Sequence, residues 1–535
     1  METSVKNIGP ETLKKYLHDG KEIALLDARE EVVFDSRHLF MASCVPLSRM
    51  EMLVGVLVPR RETRVVWCDD GEGLASLAAE RMAASGCTDV SVLDGGVSAW
   101  ESAGYQVYKG VHVPSKAFAE VIEHEVGTPW ITVAQFKALA DSGADLVLLD
   151  SRTYEEFSEN SIPGAISVPG AELVLRFTDL VPSPDTTVVV HCGGRTRSII
   201  GAQSLIDAGF PNKIVSMKNG TQGWQLAGFD IVEGTAKMPP DVSSAGLQAA
   251  IRAAKRVADR FAIEKIDASK LEQLRGESFQ GTTYLIDVRT REEFEAGHLP
   301  CAKHVAGGQL IQETERHLAV WGASVVLVDD NGVRATMTAS WLKQMGWSVF
   351  VFTLDSYSGV LETGAFVSPA LGLSGQERNL ISPVDLLSEI EAGEIRVIDL
   401  AWSRKFFAGH IPGAWWAIRS RLEDALGKMP PANKIALTST DGTLARLAAG
   451  DLKGVTDIQV FVLAGGTDAW KAAGFPVEAG RERLACAVDD IRLKAREQEV
   501  DKEQAMRDYL AWELGLVAQL ASDNDHRFLV QSLRA

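Results

Sequence analysis

The residues best suited to chemistry lie in one short loop, His191-Cys192-Gly193-Gly194-Arg195-Thr196-Arg197-Ser198. An apolar β-branched run precedes the loop and a helix-like segment follows it, so the pattern predicts a strand, a tight turn and a helix N-terminus. Backbone N–H groups and the positive end of the helix then converge on the Cys192 sulfur and form a cradle for an anion. Because helix N-termini and arginine lower a thiol's pKa, we expect Cys192 to be largely ionised at neutral pH.

Cys192 is the candidate nucleophile, and the six residues after it are the candidate binding groups. The two glycines let the backbone approach a ligand, and the two guanidiniums can each hold sulfonate oxygens by paired hydrogen bonds. The predicted anion-binding set is Gly193, Gly194, Arg195, Thr196, Arg197 and Ser198. No metal or organic cofactor is expected, because the thiol supplies the reactive atom.

The spacing Cys-x-x-x-x-Arg-Ser resembles the active-site loop of the rhodanese (thiosulfate sulfurtransferase) family. Three more motifs, in the same order as in that family, extend the resemblance: Leu148-Leu149-Asp150-Ser151-Arg152, Ile162-Pro163-Gly164-Ala165 and Gly220-x-x-x-Trp224. The resemblance implies that Cys192 takes a sulfane sulfur from a donor, becomes a persulfide and passes the sulfur to a thiophilic acceptor. We interpret Asp150 and Arg152 as a structural ion pair that shapes the floor of the pocket.

Two positions depart from the family's pattern. Arg195 stands where many members have glycine, which could shift the choice of donor. Ser161 stands where many members have histidine, and we expect this change to alter only a structural hydrogen bond. The two cations of the loop favour thiosulfate over a carboxylate-bearing donor such as mercaptopyruvate.

Composition sets limits on the chain as a whole. Its 535 residues exceed what one core organises and predict about three to five domains. A formal net charge of −18 argues against nucleic acid and anionic membranes as partners, because both favour a basic surface. We find no export signal at the N-terminus and no apolar run near the ~18 residues of a membrane helix, so we expect a cytoplasmic protein.

The six cysteines are far apart and form no C-x-x-C pair, which argues against a disulfide framework or a zinc site. Cys68 is the candidate second thiol, either a sulfur acceptor or an additional catalytic residue. The four remaining cysteines lie among apolar or helix-forming neighbours and are predicted to be small buried hydrophobic residues: Cys44, Cys87, Cys301 and Cys486.

An internal repeat determines the predicted architecture. A strand that ends in aspartate occurs four times, at Asp27, Asp150, Asp287 and Asp399. About forty residues after each aspartate comes a second β-rich run with a loop, and this count aligns Cys192 with Cys68, Val328 and Thr438. The repeat predicts an α/β protein of four tandem rhodanese-like domains, each a doubly wound parallel sheet flanked by helices, with reactive loops at strand C-termini.

The predicted boundaries follow from the repeat. Domains 1 and 2 take residues 1–110 and 120–235, a linker and helix take 236–262, and domains 3 and 4 take 263–368 and 376–480. The segment 481–535 is predicted to be helical, because apolar residues recur there at helical spacing: Leu484, Val488, Ile491 and Ala495. We expect it to pack on the other domains or on a second subunit.

Domain 2 is predicted to be the catalytic copy, with Cys68 of domain 1 as the candidate second thiol. Around Cys68 three carboxylates replace the arginines, and like charges raise a thiol's pKa and repel an anionic donor. The domain 3 loop, 327–332, has no thiol or hydroxyl nucleophile, and the domain 4 loop, 438–443, has hydroxyls without a base to activate them. Domains 3 and 4 are therefore interpreted as inactive copies kept for structure, docking or substrate access.

The leading hypothesis is a sulfurtransferase that moves sulfur from thiosulfate, or a related donor, through a Cys192 persulfide to cyanide, a small thiol or a protein thiol. One alternative is a persulfide carrier or scaffold that delivers sulfur to a partner protein. A cysteine-based phosphatase or arsenate reductase is the other alternative, although phosphatase loops typically follow Cys-x5-Arg and four residues separate Cys192 from Arg197. The sequence leaves open whether the protein forms a homo-oligomer.

Overall fold

Four β-sheets follow one another along the chain, each flanked by helices. The computed structural model describes residues 5–373, 379–493, 497 and 501–530. The predicted α/β class and the four tandem domains are confirmed. Within the described ranges, no helix is both long enough and apolar enough to cross a bilayer.

The elements of domain 1 are β1 (Lys6–Ile8), α1 (Pro10–His18), β2 (Ile23–Asp27), α2 (Glu31–Ser36), β3 (Ser43–Cys44), α3 (Met50–Leu57), β4 (Val65–Cys68), α4 (Leu74–Ala84), β5 (Val90–Leu93) and α5 (Gly96–Ser102). A connecting helix, α6 (Val113–Val121), runs into a π-helical turn (Ile122–Val126). Domain 2 contains β6 (Trp130–Ile131), α7 (Val133–Asp141), β7 (Leu146–Asp150), α8 (Tyr154–Glu159), β8 (Ile166–Ser167), α9 (Glu172–Leu180), β9 (Thr187–His191), α10 (Thr196–Asp207), β10 (Ile214–Met217) and α11 (Gly220–Leu226).

A long helix, α12 (Ser244–Phe261), leads into domain 3. Its elements are β11 (Glu264–Lys265), α13 (Ala268–Arg275), β12 (Thr283–Asp287), α14 (Arg291–Ala296), β13 (Lys303–His304), α15 (Gly307–Gln312), α16 (Thr314–His317), β14 (Val320–Trp321), β15 (Ser324–Asp329), α17 (Val333–Gln344) and β16 (Ser348–Thr353). Domain 4 has β17 (Leu380–Ile381), α18 (Pro383–Glu391), β18 (Ile395–Asp399), α19 (Ser403–Ala408), β19 (Trp415–Trp416), α20 (Leu422–Lys428), β20 (Lys434–Thr438), α21 (Thr443–Asp451), β21 (Gln459–Leu463) and α22 (Gly466–Ala472), and α23 (Lys502–Ala521) comes last.

The five strands of each domain follow the same order in all four sheets, and the sheet of domain 1 has β14 as a sixth strand. In domain 2 the order is β6-β10-β9-β7-β8, and every pairing in it is parallel. The central strands read as continuous apolar runs, such as Val188 to Val190, because helices cover both faces of the sheet and bury both sets of side chains. This topology places the loop after each central strand at the carboxyl edge of its sheet, where the candidate chemistry lies.

Domains 1 and 3 are joined more tightly than a tandem repeat requires. Strand β14 of domain 3 pairs antiparallel with β2 of domain 1, with Val320 opposite Ala24 and Trp321 opposite Ile23. Apolar side chains of both domains form one continuous buried cluster, to which Leu516 and Leu520 of α23 also belong. These two domains therefore share a core.

The connecting segments differ from the prediction in part. Helix α12 lies in the predicted linker and helix, but the chain between domains 1 and 2 also forms a helix, α6, most of which is buried. The predicted helical stripe after residue 480 is wrong for Leu484, which forms a parallel bridge with Trp416 in extended chain. The C-terminal helix begins only at Lys502, and Ala495 lies outside the described residues. Val488 and Ile491 also lie in chain that is not helical, so the predicted stripe is wrong for them as well. Leu484 and Val488 pack against the apolar core of domain 4.

Two of the four structural cysteines match the prediction. Cys87 and Cys486 are buried, whereas Cys44 is half-buried and Cys301 is exposed. Cys301 lies in a turn and has a φ of 65°. The prediction of a buried hydrophobic residue is therefore wrong for Cys301.

Candidate active site

Cys192 follows directly after the last residue of β9. His191 pairs with Asp150 across the sheet, and the next residues turn sharply into α10 at Thr196. Two backbone N–H groups from the start of α11 fix the turn: Thr221 donates to the Cys192 carbonyl at 2.9 Å, and Gln222 donates to the Gly193 carbonyl at 3.1 Å. The thiol is only 2% exposed. The candidate nucleophile is therefore buried, in a loop whose backbone is fixed by hydrogen bonds from α11.

Burial raises the pKa of the Cys192 thiol above its ordinary value. The positive charge of Arg197 and hydrogen bonds from Ser198 and Gly194 oppose this effect without cancelling it. The expectation that Cys192 is largely ionised at neutral pH is therefore wrong for the closed site. The expectation fails because the free-energy cost of desolvating a buried thiolate exceeds the stabilisation that one nearby guanidinium and the helix N-terminus provide.

Arg197 is the loop cation that faces the cavity. Its guanidinium forms a two-point ion pair with Glu156, at 2.5 and 3.1 Å, and also donates to the Gln309 side chain at 3.1 Å. Glu156 keeps the pKa of Arg197 raised in spite of its burial, so this arginine stays charged. Its fixed positive charge beside the sulfur suits an oxyanion that departs from Cys192.

Arg195 does not take the predicted role. Its guanidinium forms hydrogen bonds with both oxygens of Glu120, at 2.6 and 2.8 Å, and a further ion pair with Glu123. Both carboxylates come from the segment between domains 1 and 2, and Arg195 is absent from the residues that line the cavity. The buried Glu120 and the half-buried Glu123 hold this cation in place of solvent or a ligand, so Arg195 links the loop to the connecting segment.

Of the remaining loop residues, some line the cavity and others hold the loop and the start of α10 in place. Gly193 and Gly194 line the cavity. Ser198 donates from its hydroxyl to the Arg195 carbonyl at 2.7 Å, and Thr196 lies 3.5 Å from a carboxylate oxygen of Glu513. Ser198 therefore closes the first turn of α10, while Thr196 contacts the C-terminal helix.

Asp150 and Arg152 form the ion pair expected from the sequence. The guanidinium makes hydrogen bonds with both carboxylate oxygens of Asp150, at 2.9 and 2.7 Å, and with the Asn160 carbonyl at 2.5 Å. Burial alone would raise the pKa of Asp150, but His191 and Arg152 hold it below its ordinary value. Ser161 donates to the same carboxylate at 3.0 Å, and Arg152 lines the cavity from below.

The four loops align one residue later than the sequence count suggests. Asp27 pairs with Cys68, Asp287 with Val328 and Asp399 with Thr438, just as Asp150 pairs with His191. The position of Cys192 is therefore taken in the other domains by Asp69, Asp329 and Ser439. Each of these side chains accepts a hydrogen bond from the backbone N–H six residues later, at Ala75, Ala335 and Ala445.

This register corrects the assignment of Cys68. Cys68 is the last residue of β4 and corresponds to His191, so it does not lie in a cradle. Burial raises its pKa well above the ordinary value, and the charge of Asp27 raises it further. Asp69 takes the cradle of domain 1 instead, and a carboxylate there makes the same kind of hydrogen bonds that a bound anion would make.

A cavity of about 430 Å³ lies over the Cys192 loop and is lined by every domain. Domain 2 contributes the loop and Arg197, domain 3 contributes Gln309, and domain 4 contributes Arg404. The remaining wall comes from domain 1, the connecting segment and the C-terminal segment. A volume of this size matches an organic ligand rather than an inorganic anion alone.

Two residues of α23 complete this site, and sequence analysis missed both. The Tyr509 hydroxyl donates to the Glu513 carboxylate at 2.7 Å, and both side chains lie 3.3 Å from where a Cβ on Gly194 would be. Burial raises the pKa of Glu513 to about 7, against the charge of Lys116. The sequence predicts a helical C-terminal segment but does not indicate which domain it covers.

Comparison with known proteins agrees with this geometry. The rhodanese-like domain model matches residues 9–103, 132–227, 267–358 and 382–473, which together are more than half of the chain. The chain belongs to the rhodanese family. A solved thiosulfate sulfurtransferase from Pseudomonas aeruginosa is similar to this rhodanese over 98% of this chain and 100% of that chain, with 44% identity and a TM-score of 0.94.

Curated relatives match this rhodanese over single segments. YrkF of Bacillus subtilis is 29% identical over 102 residues, which are 19% of this chain and 54% of that protein. The transcriptional regulator Rv0324 of Mycobacterium tuberculosis is 31% identical over 104 residues (19% and 45%), and a sulfurtransferase of Allochromatium vinosum is 29% identical over 94 residues (18% and 84%). This rhodanese thus spans about half the length of the first two. Family and near full-length similarity make it an enzyme of the sulfurtransferase class.

Replacing Arg197 with glutamine is expected to slow sulfur uptake by about 10- to 100-fold, because one charged donor is lost where negative charge develops. Arg197 lowers the pKa of Cys192, so its loss should raise that pKa further and move the rising limb of the pH–rate profile to higher pH. The measurement is single-turnover sulfite release as a function of pH.

The matched variant is Arg197→Lys, which keeps the positive charge but loses the planar two-point geometry. It should keep the wild-type position of the pH profile while losing rate. An unchanged profile in Arg197→Gln would contradict the role of this residue.

Proposed function

We propose that this protein moves a sulfane sulfur from thiosulfate, or a related donor, through a persulfide on Cys192 to a thiophilic acceptor. One observation carries the proposal: of the four cradles, all within the described residues, only that of domain 2 holds a thiol. The others hold Asp69, Asp329 and Ser439. The similar protein from Pseudomonas aeruginosa, named a thiosulfate sulfurtransferase, supports the choice of donor.

The reaction follows from the positions of the charged groups. The Cys192 thiolate attacks the outer sulfur of thiosulfate, the sulfur–sulfur bond of the donor breaks, and sulfite leaves with the electron pair. Arg197 and the loop N–H groups stabilise the negative charge on the departing sulfite. Because the pKa of Cys192 is raised, the thiol proton leaves before or during the attack and is taken up by the released sulfite or by solvent.

In the second half-reaction an acceptor thiolate or cyanide attacks the outer sulfur of the persulfide. The sulfur–sulfur bond of the persulfide then breaks, and Cys192 returns as a thiolate. The acceptor sets the second product, a thiocyanate or an organic persulfide. The same loop serves both steps, because the outer sulfur occupies the cradle from which sulfite has left.

The test is the intact mass of the protein after incubation with thiosulfate, together with the amount of sulfite released. We expect a gain of one sulfur atom per chain, one sulfite per sulfur bound, and steady thiocyanate formation when cyanide is added. Peptide mapping should place the sulfur on Cys192. No sulfur uptake would reject the proposal, and uptake without turnover would favour a carrier that needs a protein acceptor.

A further inference from the structure

The loops of domains 2 and 3 carry the same arginine in different surroundings. Arg334 of domain 3 corresponds to Arg197, because each follows the cradle residue of its domain by five positions. Glu156 forms a two-point ion pair with Arg197. Glu293, at the equivalent position of domain 3, forms the same ion pair with Arg334. The remaining partners of the two guanidiniums can therefore be compared atom by atom.

Each arginine also binds a side chain of the neighbouring domain. Arg334 donates from Nη1 to the carboxylate of Glu172, the first residue of α9 in domain 2, at 2.9 Å. Arg197 donates from Nη1 to the side-chain oxygen of Gln309, on α15 of domain 3, at 3.1 Å. Glu172 and Gln309 follow the strand-ending aspartates of their domains by the same number of residues. The contact is therefore reciprocal, with a carboxylate in one direction and a neutral amide in the other.

A second difference lies directly after the cradle residue. In domain 3 this position is Asp330, which accepts a hydrogen bond from Nη2 of Arg334 at 2.9 Å. The equivalent residue of domain 2 is Gly193, which has no side chain. Arg334 is thus paired with three carboxylates, whereas Arg197 forms an ion pair with one among the residues that the structure describes.

The bonds of Arg197 leave one edge of its guanidinium for a ligand. Nη1 donates to Glu156 and Gln309, and Nη2 donates to Glu156. A guanidinium has five N–H donors in a fixed plane, so the Nε hydrogen and the second Nη2 hydrogen remain side by side. No residue in the described ranges accepts from them. Such an edge suits two oxygens of one sulfonate, and Asp330 binds Arg334 through the same Nη2 in domain 3.

Gln309 is oriented by a second hydrogen bond. Its amide nitrogen donates to the Glu313 carboxylate at 3.3 Å, while its amide oxygen accepts from Arg197. A guanidinium only donates and a carboxylate only accepts, so these two neighbours determine which end of the amide faces each of them. Glutamine at this position therefore holds Arg197 without neutralising it, which glutamate would not do.

We infer that Gln309 of the inactive domain 3 is a positioning residue for the reaction at Cys192: it holds Nη1 of Arg197 and leaves the Nε–Nη2 edge charged and open to the oxyanion of the sulfur donor. The inference rests on the proposed function, since it assigns a role within sulfur uptake. It also gives domain 3 a function, because the partner that orients the arginine of the active loop comes from this inactive copy.

The test replaces Gln309 with glutamate in the full-length protein. The new carboxylate should neutralise Arg197 as Glu172 helps to neutralise Arg334, so the rate constant of sulfur uptake from thiosulfate should fall at least about tenfold. Because Arg197 lowers the pKa of Cys192, the pH–rate profile should also move to higher pH. Gln309→Met loses the hydrogen bonds without adding a charge, so it should lose less rate and keep the wild-type profile. An unchanged rate and profile in Gln309→Glu would overturn the inference.

The matched control is Glu172→Gln, the reverse substitution at the equivalent position. It changes the same contact between domains 2 and 3 from the side of Arg334 and should leave sulfur uptake unchanged. The double variant Gln309→Glu/Glu313→Gln removes the repulsion between two acids on neighbouring turns and should stay as slow as Gln309→Glu. Recovery of the rate in the double variant, or an equal loss of rate in Glu172→Gln, would contradict the role of Gln309.

Alkylation of Cys192 separates this inference from the proposed function. Iodoacetate and iodoacetamide both react with the thiolate and differ by one negative charge, so a change in the pKa of Cys192 cancels in the ratio of their rates. Gln309→Glu should lower the ratio of the iodoacetate rate to the iodoacetamide rate at least about threefold, with the label located by peptide mapping. A lowered ratio in a protein that takes up no sulfur would reject the proposed function and support the role of Gln309. An unchanged ratio together with unchanged sulfur uptake would reject that role and leave the proposed function intact.

Discussion

Cys192→Ser protein should take up no sulfur from thiosulfate and release no sulfite, whereas Cys68→Ser should behave like the wild type. A serine hydroxyl is far less acidic than a thiol and far less nucleophilic toward sulfur. Cys68 lies one position before the cradle of domain 1, at the buried end of β4, so its loss should not affect the reaction. Intact mass measures sulfur uptake and a sulfite assay measures sulfite release in both variants.

Cys301→Ser is the control for this experiment, because Cys301 is the exposed cysteine and can react with sulfur donors without any site. Its removal should lower any background labelling but not turnover. Persulfide formation that survives in Cys192→Ser and vanishes in Cys68→Ser would contradict the assignment.

Gly220→Ala is expected to reduce activity by about 100-fold or more. Gly220 has a φ of 50°, and a Cβ there would overlap the Cys192 carbonyl oxygen. The loop must shift to admit it, and a shift of about 1 Å near the reacting atoms is enough for a loss of this size. The equivalent glycines of domains 1 and 4 are Gly96 and Gly466. A Cβ on either would overlap a carbonyl oxygen of the loop in the same way.

Gly228→Ala is the matched control, because its φ of 79° is also positive but nothing lies within 4 Å of the added carbon. It should lower the free energy of unfolding by about 1 kcal/mol through backbone strain and leave activity unchanged. Chemical denaturation and steady-state rates distinguish the two variants. Equal loss of activity in both would show that strain, rather than contact with the loop, decides the effect.

Much of the fold follows from local patterns in the sequence. The four strand-ending aspartates predict four parallel sheets because each marks the carboxyl end of a buried strand. The register of the loops is misassigned because the count in domain 2 ends at Cys192 rather than at the last strand residue, His191, whose distance from Asp150 equals the corresponding distances in domains 1 and 3. A better signal was present: Arg334 lies five positions after Asp329, as Arg197 lies five positions after Cys192.

The rest of the site depends on contacts between distant segments. Nothing near Arg195 indicates that Glu120 and Glu123, which lie 75 and 72 residues earlier, form ion pairs with it. Likewise, the raised pKa of Cys192 comes from burial under a cavity that several domains build. Local sequence predicts which groups are present, whereas tertiary packing decides which of them remain available to a ligand.

The antiparallel pairing of β14 with β2 also has a consequence for synthesis of the chain. Trp321 is made about 300 residues after Ile23, and ribosomes add roughly 5–20 residues per second. Part of the β2 edge therefore stays unpaired for roughly 15–60 s while the intervening domain is translated. Unpaired strand edges recruit other chains, so protection of the nascent N-terminal domain is most needed during this interval.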